Sequence, residues 1–234
     1  MTTEPLSTPG RGPNHQAHWE RQLAAMHASL LEGRDVAIEA IGRLESLAGQ
    51  SEPGPRAEAT RGIDDACRLL EAWRVEHVEE CLHALALNRP SSIELRLAIQ
   101  LTQAAWDLAE LCRHAQRAAA AGRGLPSGLE PAAHDLGEGL RAATDALAHL
   151  DPSAGRTAVA RVQRARDATS RAFGANPSAS GGSSLLTLAS AFDGIADRVA
   201  AIAERVLETA EGYGDTAPPE PESGLDGVDD LDDA

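Results

Sequence analysis

The sequence contains no lysine, and all 21 of its positive residues are arginine. Positive charge is in deficit overall: the net charge is −15, and no long segment is basic. That excludes the phosphate-neutralising footprint of a nucleic-acid-binding protein. Aromatic residues are only 3% of the chain, so a core must be built from small and medium aliphatics, as in helices packed closely along their lengths. The three cysteines, Cys67, Cys81 and Cys112, are odd in number and form no CxxC. They read as buried free thiols in a reducing compartment rather than as a disulfide framework or zinc site. No signal peptide is evident, and no apolar run approaches the roughly 18 residues that span a bilayer. The expectation is a cytoplasmic protein without direct membrane insertion. G-x-S-x-G, P-loop, H-E-x-x-H and dinucleotide glycine patterns are all missing, and no nucleophile stands beside a base, so an enzyme reading has no residues to rest on.

What is present is helical periodicity. Gly/Pro-rich breaks at 49–56, 88–92, 121–131, 151–155 and 174–184 leave six segments, 16–48, 57–87, 92–120, 131–150, 155–173 and 184–212. Each is long enough for a helix, and none alternates with period two, which argues against strands. In the last segment Leu185, Leu188, Phe192, Ile195, Val199, Ile202 and Val206 step by three and four without a miss. In the third, Leu101, Ala104, Leu108, Leu111, Ala115 and Ala118 do the same. A shift of 84 residues lays one seam on the other, placing Leu108 on Phe192. Six segments divided at 121–131 therefore suggest a duplicated three-helix unit with antiparallel neighbours. The expected organisation is a flexible arm at 1–15, one three-helix repeat at 16–121, a second at 122–214, and a tail at 215–234. That tail carries eight acids and no base, a composition that does not offset its ordering entropy, so it is expected to be disordered.

Segment two ends in "EECLHALALNRPSSIELR" (79–96). Leu70, Trp73, His77, Cys81 and Leu85 share one face, Pro90 ends the helix, and Ser91 or Ser92 can cap the next one, with Glu94 in its first turn. This turn resembles the PhoU family of bacterial phosphate-uptake regulators, built from two three-helix repeats. Family members carry a Glu-Glu-Cys helix end, Leu-Ala-Leu, a Pro-terminated turn and an Asp-Leu-Arg helix start. Here the matching residues are Glu79, Glu80, Cys81, Leu85, Ala86, Leu87 and Pro90, then Glu94, Leu95 and Arg96. The family's acidic motif in each repeat is matched by "DLAELCRHAQRAA" (107–119) and "FDGIADRVAAIAE" (192–204).

The resemblance implies an all-α fold of two tandem three-helix bundles and a non-enzymatic role. That role would be control of phosphate uptake and phosphate-starvation signalling, by binding a phosphate ABC transporter ATPase, a membrane sensor histidine kinase, or both. It also implies a surface metal site for a divalent or ferric ion, with an acidic residue and an Asp four apart in each repeat. Asp193 and Asp197 match the second pair, but the first-repeat positions are Ala109 and Arg113, and an Arg cannot serve as an oxygen ligand. Two readings of the pair stand side by side: half of a metal site, or part of a solvated stripe with Glu204, Glu208 and Glu211. Gly194, between the two Asp residues, costs a helix interior about 1 kcal/mol against alanine and asks for an explanation.

Other pairings are weaker. Glu80 and His83 form a single Glu-x-x-His with no second copy, His15 and His18 sit at the end of the arm, and "SGGSS" (180–184) follows a helix rather than a strand. The alternatives to the phosphate reading are a metal-binding helical bundle, an accessory regulator of another transporter or channel, and a structural helical protein that forms a homodimer through an exposed seam.

Overall fold

The computed structural model describes residues 13–48, 50, 52–88, 90–121, 126–174 and 182–214. Among them are six long helices and no strand: α1 (Pro13–Leu47), α2 (Pro53–Leu87), α3 (Ser92–Ala120), α4 (Glu130–His149), α5 (Pro152–Gly174) and α6 (Gly182–Gly214). The expected acidic tail and most of the expected N-terminal arm lie outside the described residues.

The helix starts differ from the periodicity reading in one systematic way. Prolines that look like breakers instead occupy first turns: Pro13 opens α1, Pro53 opens α2 and Pro152 opens α5, so these helices begin three or four residues earlier than predicted. Proline's missing N–H has no partner to lose at that position, and its fixed φ already suits a helix. Between α2 and α3 the choice of cap falls on Ser91, whose side chain accepts from the Glu94 N–H while Glu94 accepts from the Ser91 N–H at 2.6 Å. The α4–α5 corner turns on Leu150, held at a left-handed φ of 52°. The N–H of Asp151 then donates to the Ala146 carbonyl, and the Asp151 carboxylate accepts from Ser153 N at 2.8 Å.

Helices α1, α2 and α3 pack on one another, as do α4, α5 and α6, giving the two three-helix bundles. The bundles meet where α3 packs on α6 and α1 on α4, and the buried residues form one continuous cluster across all six helices. Both seams fill this cluster: Leu101, Ala104, Leu108, Leu111, Ala115 and Ala118 of α3, and Leu188, Phe192, Ile195, Val199, Ile202 and Val206 of α6, are buried, while Leu185 is only partly so. Alanine dominates the remaining core positions. A small side chain buries little area by itself, but it lets backbones approach and recovers dispersion contacts along the whole helix.

The α1–α2 contact contains a polar knot. His77 is fully buried, stacks on Trp73 with ring centroids 4.9 Å apart, and shares a hydrogen bond with Ser29 Oγ at 3.0 Å. Trp73 Nε1 donates to the Ser29 carbonyl at 3.1 Å, and its ring covers Gly33, where a Cβ would lie 2.5 Å from the indole. Burial pushes the His77 imidazole down from an ordinary 6.5 to about 4, and burial also lowers His27 nearby. The unfolded chain takes up this proton near pH 6.5, whereas the fold resists it until about pH 4. The contribution to stability is therefore complete above pH 6.5 and is lost as pH falls toward 4, by up to about 3 kcal/mol. Denaturation of His77→Gln across this interval is expected to show a shallower pH dependence than the parent; an unchanged slope would contradict this assignment.

Candidate functional site

On α6, Asp193 and Asp197 lie on the exposed side, away from the buried seam, as do Glu204 and Glu208. The pair borders an open cleft of about 450 Å³ that also contains His114, Ser190 and Arg198. Asp197 has no arginine three or four residues away on its own helix; its partner comes from the adjacent helix, where Arg166 Nη2 of α5 donates to its carboxylate at 2.6 Å. The side chain of Glu211 lies outside the described residues.

The first-repeat counterparts are occupied in a related way. Ala109 is buried against the core and presents no ligand. Arg113 donates to Glu71 of α2 at 2.7 Å and to Glu110 at 2.5 Å, and the Arg74 hydrogen bond foremost, with help from Arg113, holds the Glu71 carboxyl below its ordinary range. Arg113 and Asp197 are 84 residues apart, the offset that overlays the two seams. Equivalent positions in the two halves thus each make an ion pair with the preceding helix, with the polarity reversed: base on α3 with acid on α2, acid on α6 with base on α5. Among the described residues, no three His, Cys, Asp or Glu side chains converge on one point where a metal ion would sit.

Gly194 is explained by its neighbour across the bundle interface. The His114 imidazole of α3 lies against the α6 backbone, and a Cβ at residue 194 would clash with that ring. Glycine's helix cost of about 1 kcal/mol is therefore the condition for His114 to dock. Burial is the main reason the His114 imidazole titrates below its ordinary range, with Arg117 adding to it. Because His114 is the end of a rotatable side chain, Gly194→Ala should expel the ring into solvent rather than unfold the protein. The expected result is a near-neutral change in stability and an upward shift of the His114 titration midpoint, followed by NMR; an unmoved midpoint would contradict the packing.

Sequence reasoning missed a buried polar seam between α3 and α6. The Asp107 side chain is 6% exposed and faces two arginines of the other bundle, Arg198 Nη1 at 3.2 Å and Arg205 Nη2 at 2.5 Å. The Arg205 contact is an ion pair off the hydrogen-bond axis, since Asp107 Oδ2 has no aligned donor. Two turns along α3, Gln100 donates to the Arg205 carbonyl at 3.2 Å and to Thr209. The available signal was the spacing of Arg198 and Arg205, seven apart on one face, and an Asp directly beside Leu108 of the seam. Asp107→Asn should cost about 2 kcal/mol by chemical denaturation, below the roughly 3–5 kcal/mol of a wholly enclosed pair, because both arginines reach water. A change under about 0.5 kcal/mol, the range of an ordinary surface substitution, would show that the seam does not hold the bundles together.

The remaining sequence candidates do not assemble into a site. Glu80, His83 and His18 are exposed and belong to no metal-binding group of three among the described residues, while the side chain of His15 is outside the described residues. The three cysteines are buried and unpaired by disulfide, and Cys67 Sγ donates to the Cys112 carbonyl at 3.0 Å. No helix among the described residues is long and apolar enough to cross a membrane.

No protein-family model matches the chain, and no curated protein matches its sequence. Solved structures do match in fold. The crystal structure of PhoU from Pseudomonas aeruginosa superposes with a TM-score of 0.59 at 17% identity, covering 85% of this chain and 98% of that one. The chain has a PhoU-like fold. The phosphate transport system regulatory protein PhoU from Streptococcus pneumoniae matches equally, with a TM-score of 0.59 at 17% identity, over 84% of this chain and 95% of that one. Both PhoU structures are covered almost end to end, so the likeness extends through both bundles.

Proposed function

We propose that this protein is a non-catalytic regulator of phosphate uptake and phosphate-starvation signalling, acting by reversible contact with a phosphate transporter ATPase, a membrane sensor histidine kinase, or both. The observation that carries this reading is the PhoU-like arrangement of both bundles over nearly the full length of two PhoU structures. The distribution of charge supports it: the carboxylates and guanidiniums of the described residues are paired within or between helices or spread over exposed helix faces, a pattern suited to protein contact.

A metal-binding reading draws on Asp193 and Asp197 sharing a cleft with His114. Arg166 already neutralises Asp197, so an ion would have to displace that pair. Elemental analysis of chelator-free protein separates the two readings: a stoichiometric ion lost in Asp193→Ala supports the metal reading, and its absence counts against it.

The functional test is removal of the gene in its native host. Loss of the protein is expected to raise phosphate uptake and to switch on a starvation reporter under phosphate-replete growth. A tagged copy is expected to recover a transporter ATPase or a sensor kinase in a phosphate-dependent manner. An unchanged reporter with recovery of neither partner would overturn the reading.

A further inference from the structure

One apolar surface is left without a partner. Helices α2 and α3 form an antiparallel hairpin whose register is set by Gln116 donating to Asp64 at 2.9 Å and by the Arg74 guanidinium 3.8 Å above the Trp106 ring. That register carries Leu82 opposite Ile99 before the chain turns at 88–91. On the outward side Val75 and Leu82 of α2 stand exposed two turns apart, beside a parallel row of Leu95, Ile99 and Trp106 on α3. Trp106 is 50% exposed and Leu82 57%. Single exposed aliphatics need no explanation, but a strip of this kind along one hairpin is what a contact surface looks like.

The charge beside the strip indicates what covers it. Glu79 stands between Val75 and Leu82 on the same α2 stripe, with Glu76 and Glu80 next to it. All three are exposed, and among the described residues none makes an ion pair or hydrogen bond. Elsewhere on this helix Glu71 pairs with Arg74 and Arg113, Asp65 with Arg68, and Asp64 accepts from Gln116, while Glu58 near the helix start is exposed and unmatched among the described residues. Three of the four unmatched carboxylates of α2 therefore fall in the half that carries Val75 and Leu82. The chain itself supplies no suitable cover, since residues 215–234 hold eight acids and no base, and residues 1–12 hold one arginine and one glutamate. A second copy would bring the same acids into a self-complementary contact and add repulsion.

We propose that the outer face of the α2–α3 hairpin docks an amphipathic helix of a partner protein, apolar on one side and basic along the edge that meets Glu76, Glu79 and Glu80. This deepens the regulatory reading by assigning its contact face and the chemistry of the partner. Its test uses no phosphate and no native partner, so the two fail independently.

The full-length protein is titrated with a designed amphipathic helix about five turns long, leucine on one face and lysine along its edge, and with a twin carrying glutamate in place of lysine. Tryptophan emission reports docking at Trp106, with Trp106→Phe confirming the origin of the signal. The lysine peptide is expected to shift the emission to shorter wavelength, and Leu82→Asp to weaken its binding at least about tenfold. Reversing Glu76, Glu79 and Glu80 to arginine together is expected to transfer the preference to the glutamate peptide, while reversing Glu204 and Glu208 on α6 leaves it unchanged. Equal loss from both reversals would mean attraction to net charge alone and would overturn the proposal. So would indifference of the emission to either peptide, or a concentration-dependent dimer abolished by Leu82→Asp, which would make a second copy the occupant.

Discussion

Asp107 sits where the two halves of the chain meet, a nearly enclosed carboxylate on α3 facing two arginines of α6. The apolar packing of α3 on α6 continues on either side of this contact. Seams of Leu and Ala on α3 and of Leu, Phe, Ile and Val on α6 bury along their lengths, and the small residues among them let the helices approach closely. Gly194 removes a side chain at the point where His114 crosses the interface. The result is two three-helix bundles with a single continuous core rather than two cores in contact. A buried charge is costly unless paired, and here one acid of the first half stands between two bases of the second.

One correspondence between the halves shows on the surface. Positions 84 residues apart on α3 and α6 look toward the preceding helix of their own bundle, and both make a cross-helix ion pair there. The sign of the pair is inverted between the halves, so the geometry of the contact recurs while the identity of the residues does not. This accounts for a puzzle in the linear pattern. Asp193 and Asp197 look like an isolated acidic pair along their own helix because the neutralising Arg166 lies on α5. Intrahelical spacing says nothing about groups delivered by the adjacent helix.

Much of the fold was legible because it rests on local rules. The seams, the Ser91–Glu94 cap and the all-helical class follow from three-to-four spacing and capping chemistry. The helix starts were misplaced because proline is a breaker inside a helix and a starter in its first turn, and composition alone does not separate the two. The roles of Gly194, Asp107 and Trp73 were not legible, since each is decided by a side chain from a helix far away in sequence. The acidic pair on α6 was visible from the spacing, whereas its arginine partner was not.

For function, the fold and the surface bear on separate questions. Likeness to PhoU of two bacteria concerns the scaffold, and the unmatched acids and apolar strip on the α2–α3 hairpin concern what that scaffold touches. Both depend on the two bundles behaving as one rigid body that presents its faces in fixed relation. Native-state hydrogen exchange of the full-length protein tests this most directly. The account predicts that amides of α3 and α6 share the slowest class and open together with one free energy. Protection of α1, α2 and α3 while α4, α5 and α6 exchange independently would contradict it.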